Sequence, residues 1–323
     1  RSLPLILALS LAAAGCDSPE QPAMALAIDQ AEDEVSEVTL LPMAQKPVKP
    51  RVRPMADGAT LETLRDIGLS RPVAVIHDAA ADVYLISNAG RDGDPGFITS
   101  VLPDGSVDAV RWIDGELTSP AGMALAQTRL FVADGEHLHV FDRETGVSRG
   151  AIHIPEAVAL SDVAAGARGA VYVTDAGSDG AHAAPGAVYR VSRRGTVTVI
   201  AKSSVLGRPT GLVTVKGTAW IAAAEPETFY GVDRRGRLTR GAALPFEGRY
   251  AGLTQADGRI FFSSPEARTV YAGPIEGPFE AVVFDVASPG DVGWDAGRER
   301  LLVPLSDDDA LEVHTLTGEP NPS

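Results

Sequence analysis

Ala170-Val-Tyr-Val-Thr174 is one copy of a strand pattern that recurs along the chain and identifies its fold. Each copy is a short run of β-branched and aromatic residues, which suit a pleated and buried surface. A weaker apolar strand precedes each run, and a polar loop, a third strand, a tight turn and a fourth strand follow it. The other runs are Asp82-Val-Tyr-Leu-Ile-Ser87, Arg129-Leu-Phe-Val-Ala133, Ala219-Trp-Ile-Ala222, Arg259-Ile-Phe-Phe-Ser263 and Arg300-Leu-Leu-Val-Pro304.

The turns that lead into these units give the period of the repeat. Aligned turns place Pro72, Pro120, Leu160, Pro209, Tyr250 and Pro289 at one equivalent position. They are about forty to fifty residues apart, the period expected for four-stranded propeller blades. A β-sandwich also has short strands and turns, but it does not repeat a four-stranded unit six times. We therefore predict an all-β, six-bladed β-propeller.

The ends of the repeat region indicate how the ring closes. The last unit ends after its third strand, Ala310-Leu-Glu-Val-His-Thr-Leu316, and so lacks a fourth. Ala59-Thr-Leu-Glu-Thr-Leu64 has the pattern of an outer fourth strand and precedes the first unit. We expect it to complete the sixth blade, which removes an open sheet edge. The predicted propeller spans residues 59–318, followed by a disordered tail over 319–323.

The N-terminal residues are typical of a targeting segment. Leu3 to Ala14 is an apolar run too short to span a bilayer, and it has the length of a signal-peptide hydrophobic region. Ala13-Ala14-Gly15-Cys16, which contains the only cysteine, resembles the bacterial lipobox, in which that cysteine is acylated. The alternative is an ordinary cleaved signal with an incidental cysteine. The first interpretation makes residues 1–15 a lipoprotein signal peptide and places the protein in the periplasm or at the cell surface.

Residues 16–58 read as a disordered tether from an acylated Cys16. Six prolines interrupt residues 17–58, and an acidic stretch from Asp29 to Glu37 is followed by a basic one from Lys46 to Arg53. Proline lacks the N–H that regular structure needs, and so charged a segment buries little apolar surface.

Composition excludes several classes of function. The formal net charge of −15 argues against nucleic-acid binding, for which a basic patch is expected. A single cysteine excludes an internal disulfide and a cysteine-rich metal cage. The sequence also has no P-loop, dinucleotide fingerprint or nucleophile elbow.

The repeat resembles the SMP-30/gluconolactonase and NHL-like six-bladed propellers over about residues 59–318. The segments most similar to it are Ala159-Leu-Ser-Asp-Val-Ala164, Val171-Tyr-Val-Thr-Asp-Ala-Gly177 and Ser288-Pro-Gly-Asp-Val-Gly-Trp-Asp295. The resemblance implies a divalent cation held by a Glu, two Asn and an Asp, which polarises a lactone carbonyl and activates water. The corresponding residues here are Ser70, Ser161, Thr210 and Ala251. Hydroxyls bind a hard cation poorly, so this pattern disfavours a lactonase of the usual type.

Five aspartates are candidate ligand or metal residues at the tunnel mouth. Asp162 and Asp291 stand in the leading turns of blades three apart, so they should face each other across the channel. Two carboxylates there would grip a cation or a cationic ligand; alternatively, each accepts N–H groups of its own turn. Asp134, Asp175 and Asp307 lie in loops between second and third strands.

Charges are predicted to differ between the two ends of the ring. The end with the second-to-third loops carries Asp92, Asp94, Asp134, Glu136, Asp175, Asp179, Glu225, Glu227, Glu266 and Asp307 to Asp309. The other end carries Arg193, Arg194, Arg234, Arg235 and Arg237. The acidic end is either a set of solvated loops or a site for a cation or basic partner.

Histidines add two weaker signals. His137 and His139 share one face of a strand, but no third metal ligand is evident, so ordinary strand residues are expected. His182 lies in the longest loop of the third blade, which would cover the tunnel mouth.

These observations leave three hypotheses. The first is a lipid-anchored extracytoplasmic propeller, not an enzyme, that binds a ligand or protein partner through its acidic face. The alternative is an SMP-30-like metal-dependent hydrolase with a rearranged site containing Asp162 and Asp291. The third is a purely structural assembly module. The cofactor left open is a divalent cation, calcium or zinc.

Overall fold

The computed structural model describes residues 60–178, 183–224, 228–245 and 248–316. These residues form six antiparallel four-stranded sheets, which are the blades of a propeller, as predicted. The signal peptide, the tether with Cys16, the tail, Asp179, His182, Glu225 and Glu227 lie outside the described residues.

The first strand, β1 (Thr60–Leu64), belongs to the last blade. Blade 1 contains β2 (Pro72–Asp78), β3 (Val83–Asn88), β4 (Phe97–Val101) and β5 (Val107–Ile113). Blade 2 contains β6 (Met123–Ala126), β7 (Arg129–Asp134), β8 (His137–Asp142) and β9 (Ser148–His153). Blade 3 contains β10 (Leu160–Ala165), β11 (Val171–Asp175), β12 (Ala187–Val191) and β13 (Val197–Lys202).

The other three blades follow in the same order. Blade 4 contains β14 (Arg208–Val215), β15 (Thr218–Ala224), β16 (Thr228–Val232) and β17 (Leu238–Arg240). Blade 5 contains β18 (Leu253–Ala256), β19 (Arg259–Ser264), β20 (Thr269–Pro274) and β21 (Glu280–Val283). Blade 6 contains β22 (Gly293–Asp295), β23 (Arg300–Leu305) and β24 (Ala310–Thr315), with β1 as its outer strand.

Helical structure in the described ranges is limited to two single-turn 3-10 helices, Ala167–Gly169 and Ser204–Leu206. No helix there reaches the length and apolarity that crossing a membrane requires.

Ring closure follows the prediction. Strand β1 pairs antiparallel with β24, with Thr60 opposite Thr315 and Leu64 opposite Leu311. On the inner side, the Asp291 N–H donates to the carbonyl of Val73 at 2.7 Å, which joins blade 6 to blade 1. The two chain ends of the propeller are therefore held by hydrogen bonds in the same sheet.

The second strand of each blade forms the core. In β7, β19 and β23 every residue after the first is buried, and β11 is buried throughout. Outer strands such as β5 and β9 are mostly exposed. A middle strand packs against neighbouring blades on both faces, so it reads as a continuous apolar run, whereas an outer strand faces water.

A buried polar network also joins blades 6 and 1. Asp295 is fully buried, and it accepts hydrogen bonds from the Tyr84 hydroxyl at 2.8 Å and from Arg298 at 3.0 Å. Burial opposes ionisation of Asp295, but the bonds from Tyr84 and Arg298 outweigh it and lower the carboxyl pKa. The carboxylate is ionised and fully partnered.

Candidate functional site

Chain direction divides the propeller into two faces. Each inner strand runs from the connection between blades toward the turn before the second strand. We call the end with the blade connections and second-to-third loops the loop face, and the opposite end the turn face. Those predicted acidic residues that the structure describes lie on the loop face, and the arginine-rich third-to-fourth turns lie on the turn face.

The inner strands bring Asp162 and Asp291 together in the channel. Asp162 lies in β10 of blade 3, and Asp291 precedes β22 of blade 6. Asp162 is buried, Asp291 is half-buried with its Oδ1 atom buried, and the two carboxyl groups are close enough to interact electrostatically. Asp162 Oδ1 also accepts the Val163 N–H, and Oδ2 accepts the Leu212 N–H of blade 4, both at 2.6 Å. The pair thus connects strands from three blades.

Both carboxyl groups resist ionisation. Burial raises the pKa of Asp162 to about 8, against the effect of its two backbone donors. Burial, together with the adjacent Asp162, raises the pKa of Asp291 well above its usual range. Oδ1 of Asp291 is buried and has no hydrogen-bond partner among the described residues. The pair therefore holds at least one proton at neutral pH, since two adjacent carboxylates that are shielded from water would repel each other strongly.

Two glycines make room for this pair. A Cβ atom on Gly122 would lie 2.3 Å from Asp162 Oδ1, and one on Gly252 would lie 1.7 Å from Asp291 Oδ1. Both distances are far inside van der Waals contact, so a side chain at either position would displace a carboxyl group. The small residues of these leading turns are required by packing around the aspartates.

A cavity of about 260 Å³ lies beside the pair. It follows the inner strands from Asp162 and Asp291 toward the turn face, where His77, Thr214 and Trp294 also line it. Its walls are otherwise largely apolar. The predicted pair thus borders a channel cavity on the turn-face side rather than the acidic mouth itself.

Asp134 and Asp175 lie at equivalent positions, at the ends of β7 and β11. Their side-chain oxygens accept hydrogen bonds from backbone N–H groups. Asp134 accepts the N–H groups of Thr118 and Ser119 at 2.6 and 3.0 Å. Asp175 accepts those of Val158, Ala159 and Gly177 at 2.9 to 3.1 Å. Both residues are buried. These carboxylates hold the connection that leads into their own blade.

Blade 1 supports this interpretation. Asn88 ends β3 at the corresponding place, and its side-chain oxygen accepts the Ser70 N–H at 2.9 Å. In blade 1 an amide oxygen accepts the N–H of the connecting loop, as a carboxylate oxygen does in blades 2 and 3. The position therefore selects a hydrogen-bond acceptor for the loop, and a charge is not essential to it.

The four residues at the positions of the implied cation ligands, Ser70, Ser161, Thr210 and Ala251, are not suited to bind a cation. The Ser161 hydroxyl donates to the Pro209 carbonyl at 2.6 Å, and the Thr210 hydroxyl donates to the Tyr250 carbonyl. Each bond joins one blade to the next. With Ala251 at a further position, the set offers no carboxylate or amide, and two of its hydroxyls already donate across blade boundaries.

Asp307 is exposed on the loop face and lines an open depression of about 610 Å³. Asp92, Asp94, Arg71 and Arg91 line the same depression. Arg91 pairs with Asp309 at 3.0 Å and donates to the carbonyl of Asp307 at 3.0 Å. Elsewhere on this face Arg65 pairs with Asp308, and Arg249 pairs with Glu266. Arginines thus offset part of the predicted acidity.

A group that sequence reasoning missed lies at the loop-face end of blade 2. His137 opens β8 and pairs across the sheet with His153, which ends β9. Glu136 precedes His137, and one ligand atom from each of the three lies within 4.8 Å of the others. The signal was present, since both histidines stand at loop-face strand ends, but only the register places them opposite each other.

No protein-family model and no curated protein matches the sequence. Solved structures match the fold. A gluconolactonase from Xanthomonas campestris is 18% identical, with 86% of this chain and 97% of that chain covered and a TM-score of 0.67. A second gluconolactonase-like protein is 16% identical, with 81% of this chain and 93% of that chain covered and a TM-score of 0.64. A virginiamycin B lyase from Staphylococcus aureus is 13% identical, with 80% of this chain and 100% of that chain covered and a TM-score of 0.56. The chain therefore has the six-bladed fold of gluconolactonase-like proteins.

Proposed function

We propose that this chain is an extracytoplasmic propeller that binds a ligand or protein partner bearing a cationic group at its loop face. The observation that carries the proposal is the depression lined by Asp92, Asp94 and Asp307. All three are exposed acidic residues around one concavity of about 610 Å³, a size typical of ligand sites. The hydroxyls at the mouth and the carboxylates of Asp134 and Asp175 are engaged in holding blades and loops.

Charge steers such a partner. Carboxylates around a concave surface raise the local concentration of cations, and the effect weakens as salt screens it. Arg71 and Arg91 in the same depression add a positive rim, which favours a partner that presents an amine beside a polar or acidic group. A purely apolar ligand does not suit this lining.

The test measures binding of an oligolysine peptide by calorimetry at low and at physiological salt. We expect Asp92→Asn, Asp94→Asn and Asp307→Asn together to weaken binding about tenfold at low salt. Asn tolerates the left-handed backbone of Asp92, whose φ is 55°. The matched control, Asp104→Asn with Glu144→Gln and Asp257→Asn, removes the same formal charge from the turn face. If both triple variants lost the same amount of oligolysine affinity, the binding would depend only on net charge, and the proposed site would be wrong.

Anchoring through Cys16 is the second part of the proposal. It rests on the apolar run from Leu3 to Ala14 and the small residues before the cysteine. In a bacterial host, radiolabelled palmitate should label the wild type and should not label Cys16→Ser. Recovery of both proteins in the soluble periplasmic fraction, unlabelled, would replace the lipid anchor with an ordinary cleaved signal.

A hydrolase is the second candidate, and the pair Asp162–Asp291 favours it. A carboxyl group protonated at neutral pH can act as a general acid, and this pair borders a cavity. The gluconolactonase-like neighbours make lactones the substrates to try. Hydrolysis of an aldonolactone panel that Asp162→Asn abolishes would support an enzyme, and loss in chelator would indicate a metal. No turnover above the Asp162→Asn background would leave the binding function.

A further inference from the structure

The geometry points to a zinc site formed by Glu136, His137 and His153 on the loop face of blade 2, and we propose it as a new site. It is separate from the channel pair and from the depression near Asp307, so it goes beyond the proposed function. One ligand atom from each residue lies within 4.8 Å of the others. In a tetrahedral zinc site with bonds of about 2.1 Å, ligand atoms lie about 3.4 Å apart, so small side-chain rotations complete the set.

The backbone already holds the ligands in place. His137 and His153 are a directly opposed pair in the antiparallel register of β8 and β9, and their ring centroids are 5.3 Å apart. The Ile154 N–H donates to the Glu136 carbonyl at 3.0 Å, which fixes the residue before β8 against the end of β9. Metal binding would order only three side chains, and little conformational entropy opposes it.

The ligand types select the metal. Imidazole nitrogen suits zinc and its neighbours among the transition metals, whereas calcium takes oxygen ligands. Two histidines and one glutamate are a known zinc set that leaves a fourth position for water or an outside donor. Glu136 and His153 are exposed, so that fourth position faces solvent.

The propeller scaffold does not itself require these residues. In blade 3 the corresponding cross-strand pair is Ala187 with Lys202, and in blade 1 Phe97 stands at the position of His137. Apolar and long-chain residues satisfy the same position in neighbouring blades. The histidines of blade 2 therefore add metal-binding capacity at a position where the fold accepts other side chains.

The experiment is zinc titration of the full chain, without a polyhistidine tag, by calorimetry after chelator treatment and dialysis. We expect one equivalent of zinc to bind, and His137→Gln, His153→Gln and Glu136→Gln each to weaken it at least about tenfold. Cobalt should give the intense visible absorption of a four-coordinate site in the wild type and lose it in the His137→Gln, His153→Gln double variant.

Two controls make the result specific to this cluster. His139→Gln changes a histidine two residues away on β8 that lies outside the three-residue set, and its zinc affinity should equal that of the wild type. Asp162→Asn with Asp291→Asn removes the channel pair, and zinc binding should again be unchanged. Thermal melts without metal confirm that each variant is folded.

Zinc binding that survives in the folded double histidine variant, or no binding by the folded wild type, would overturn the proposal. These outcomes are independent of oligolysine binding at Asp92, Asp94 and Asp307.

Discussion

Two pairs of aspartates in this propeller differ in what surrounds them. Asp134 and Asp175 end second strands and accept backbone N–H groups from the connection leading into their blades. Asp162 lies on the inner strand β10, Asp291 lies just before the inner strand β22, and the two carboxyl groups interact electrostatically in the channel. Backbone donors surround the first pair, whereas burial and the adjacent carboxyl group raise the pKa of Asp291 in the second pair. Burial alone therefore does not identify a functional carboxyl group.

Removal of the Asp175 side chain should have the largest effect on stability. Asp175→Ala leaves the N–H groups of Val158, Ala159 and Gly177 without their acceptor. We expect a loss of about 3 kcal/mol in the free energy of unfolding, since each stranded buried donor costs about 1 kcal/mol or more. Urea unfolding monitored by tryptophan fluorescence measures it, with Asp104→Ala on the exposed turn as control. A loss equal to that of the control would mean that water replaces the carboxylate.

The second prediction uses pH to separate the two pairs. The pKa of Asp162 is raised to about 8, so its protonation stabilises the folded state fully below its unfolded pKa of 3.8. That stabilisation is lost as pH rises from about 4 to about 8. Asp291→Asn removes the charge repulsion, so it should be more stable than the wild type by about 2 kcal/mol at pH 9 and close to it at pH 4.

Melting temperature measured across that range tests this prediction, and Asp175→Asn serves as the matched variant. Asp175→Asn should not gain stability over the wild type, because it replaces one of the side-chain oxygens that accept backbone N–H groups. Parallel pH profiles for the wild type and Asp291→Asn would contradict a protonated pair.

The third prediction concerns another buried carboxylate, Asp295, and its expected change in stability is the smallest of the three. Tyr84→Phe removes one donor from Asp295, whose lowered pKa makes its contribution present above 3.8 and lost as pH falls through the folded value. We expect a loss of about 1 kcal/mol at neutral pH that shrinks in acid. Urea unfolding at neutral and acidic pH checks it. An unchanged deficit in acid would assign the loss to packing of Tyr84 instead.

The fold was largely predictable because its determinants are local and repeated. Middle strands such as Ala170-Val-Tyr-Val-Thr174 carry apolar residues at every position, since both of their faces are buried. The closing role of Ala59 to Leu64 also followed, because blade 6 lacked a fourth strand and β1 supplies it. A repeating pattern of this kind needs no knowledge of long-range contacts.

The candidate site was predictable only in part. The blade count placed Asp162 opposite Asp291, but which of their oxygens meet donors depends on Leu212 and on the clearance at Gly252. His153 was missed as a partner of His137 because fifteen residues, including a turn, lie between them, and a shift of register by one would point them to opposite faces.

Linear patterns in the chain specify the number of blades, the strand that closes the ring and the placement of charged loops. These properties follow from periodic burial and turn chemistry, which are written along the chain. The folded arrangement of the blades sets which aspartates accept backbone N–H groups and which hold a proton. That distinction depends on donors that other parts of the fold bring within hydrogen-bond distance, and no local pattern encodes it.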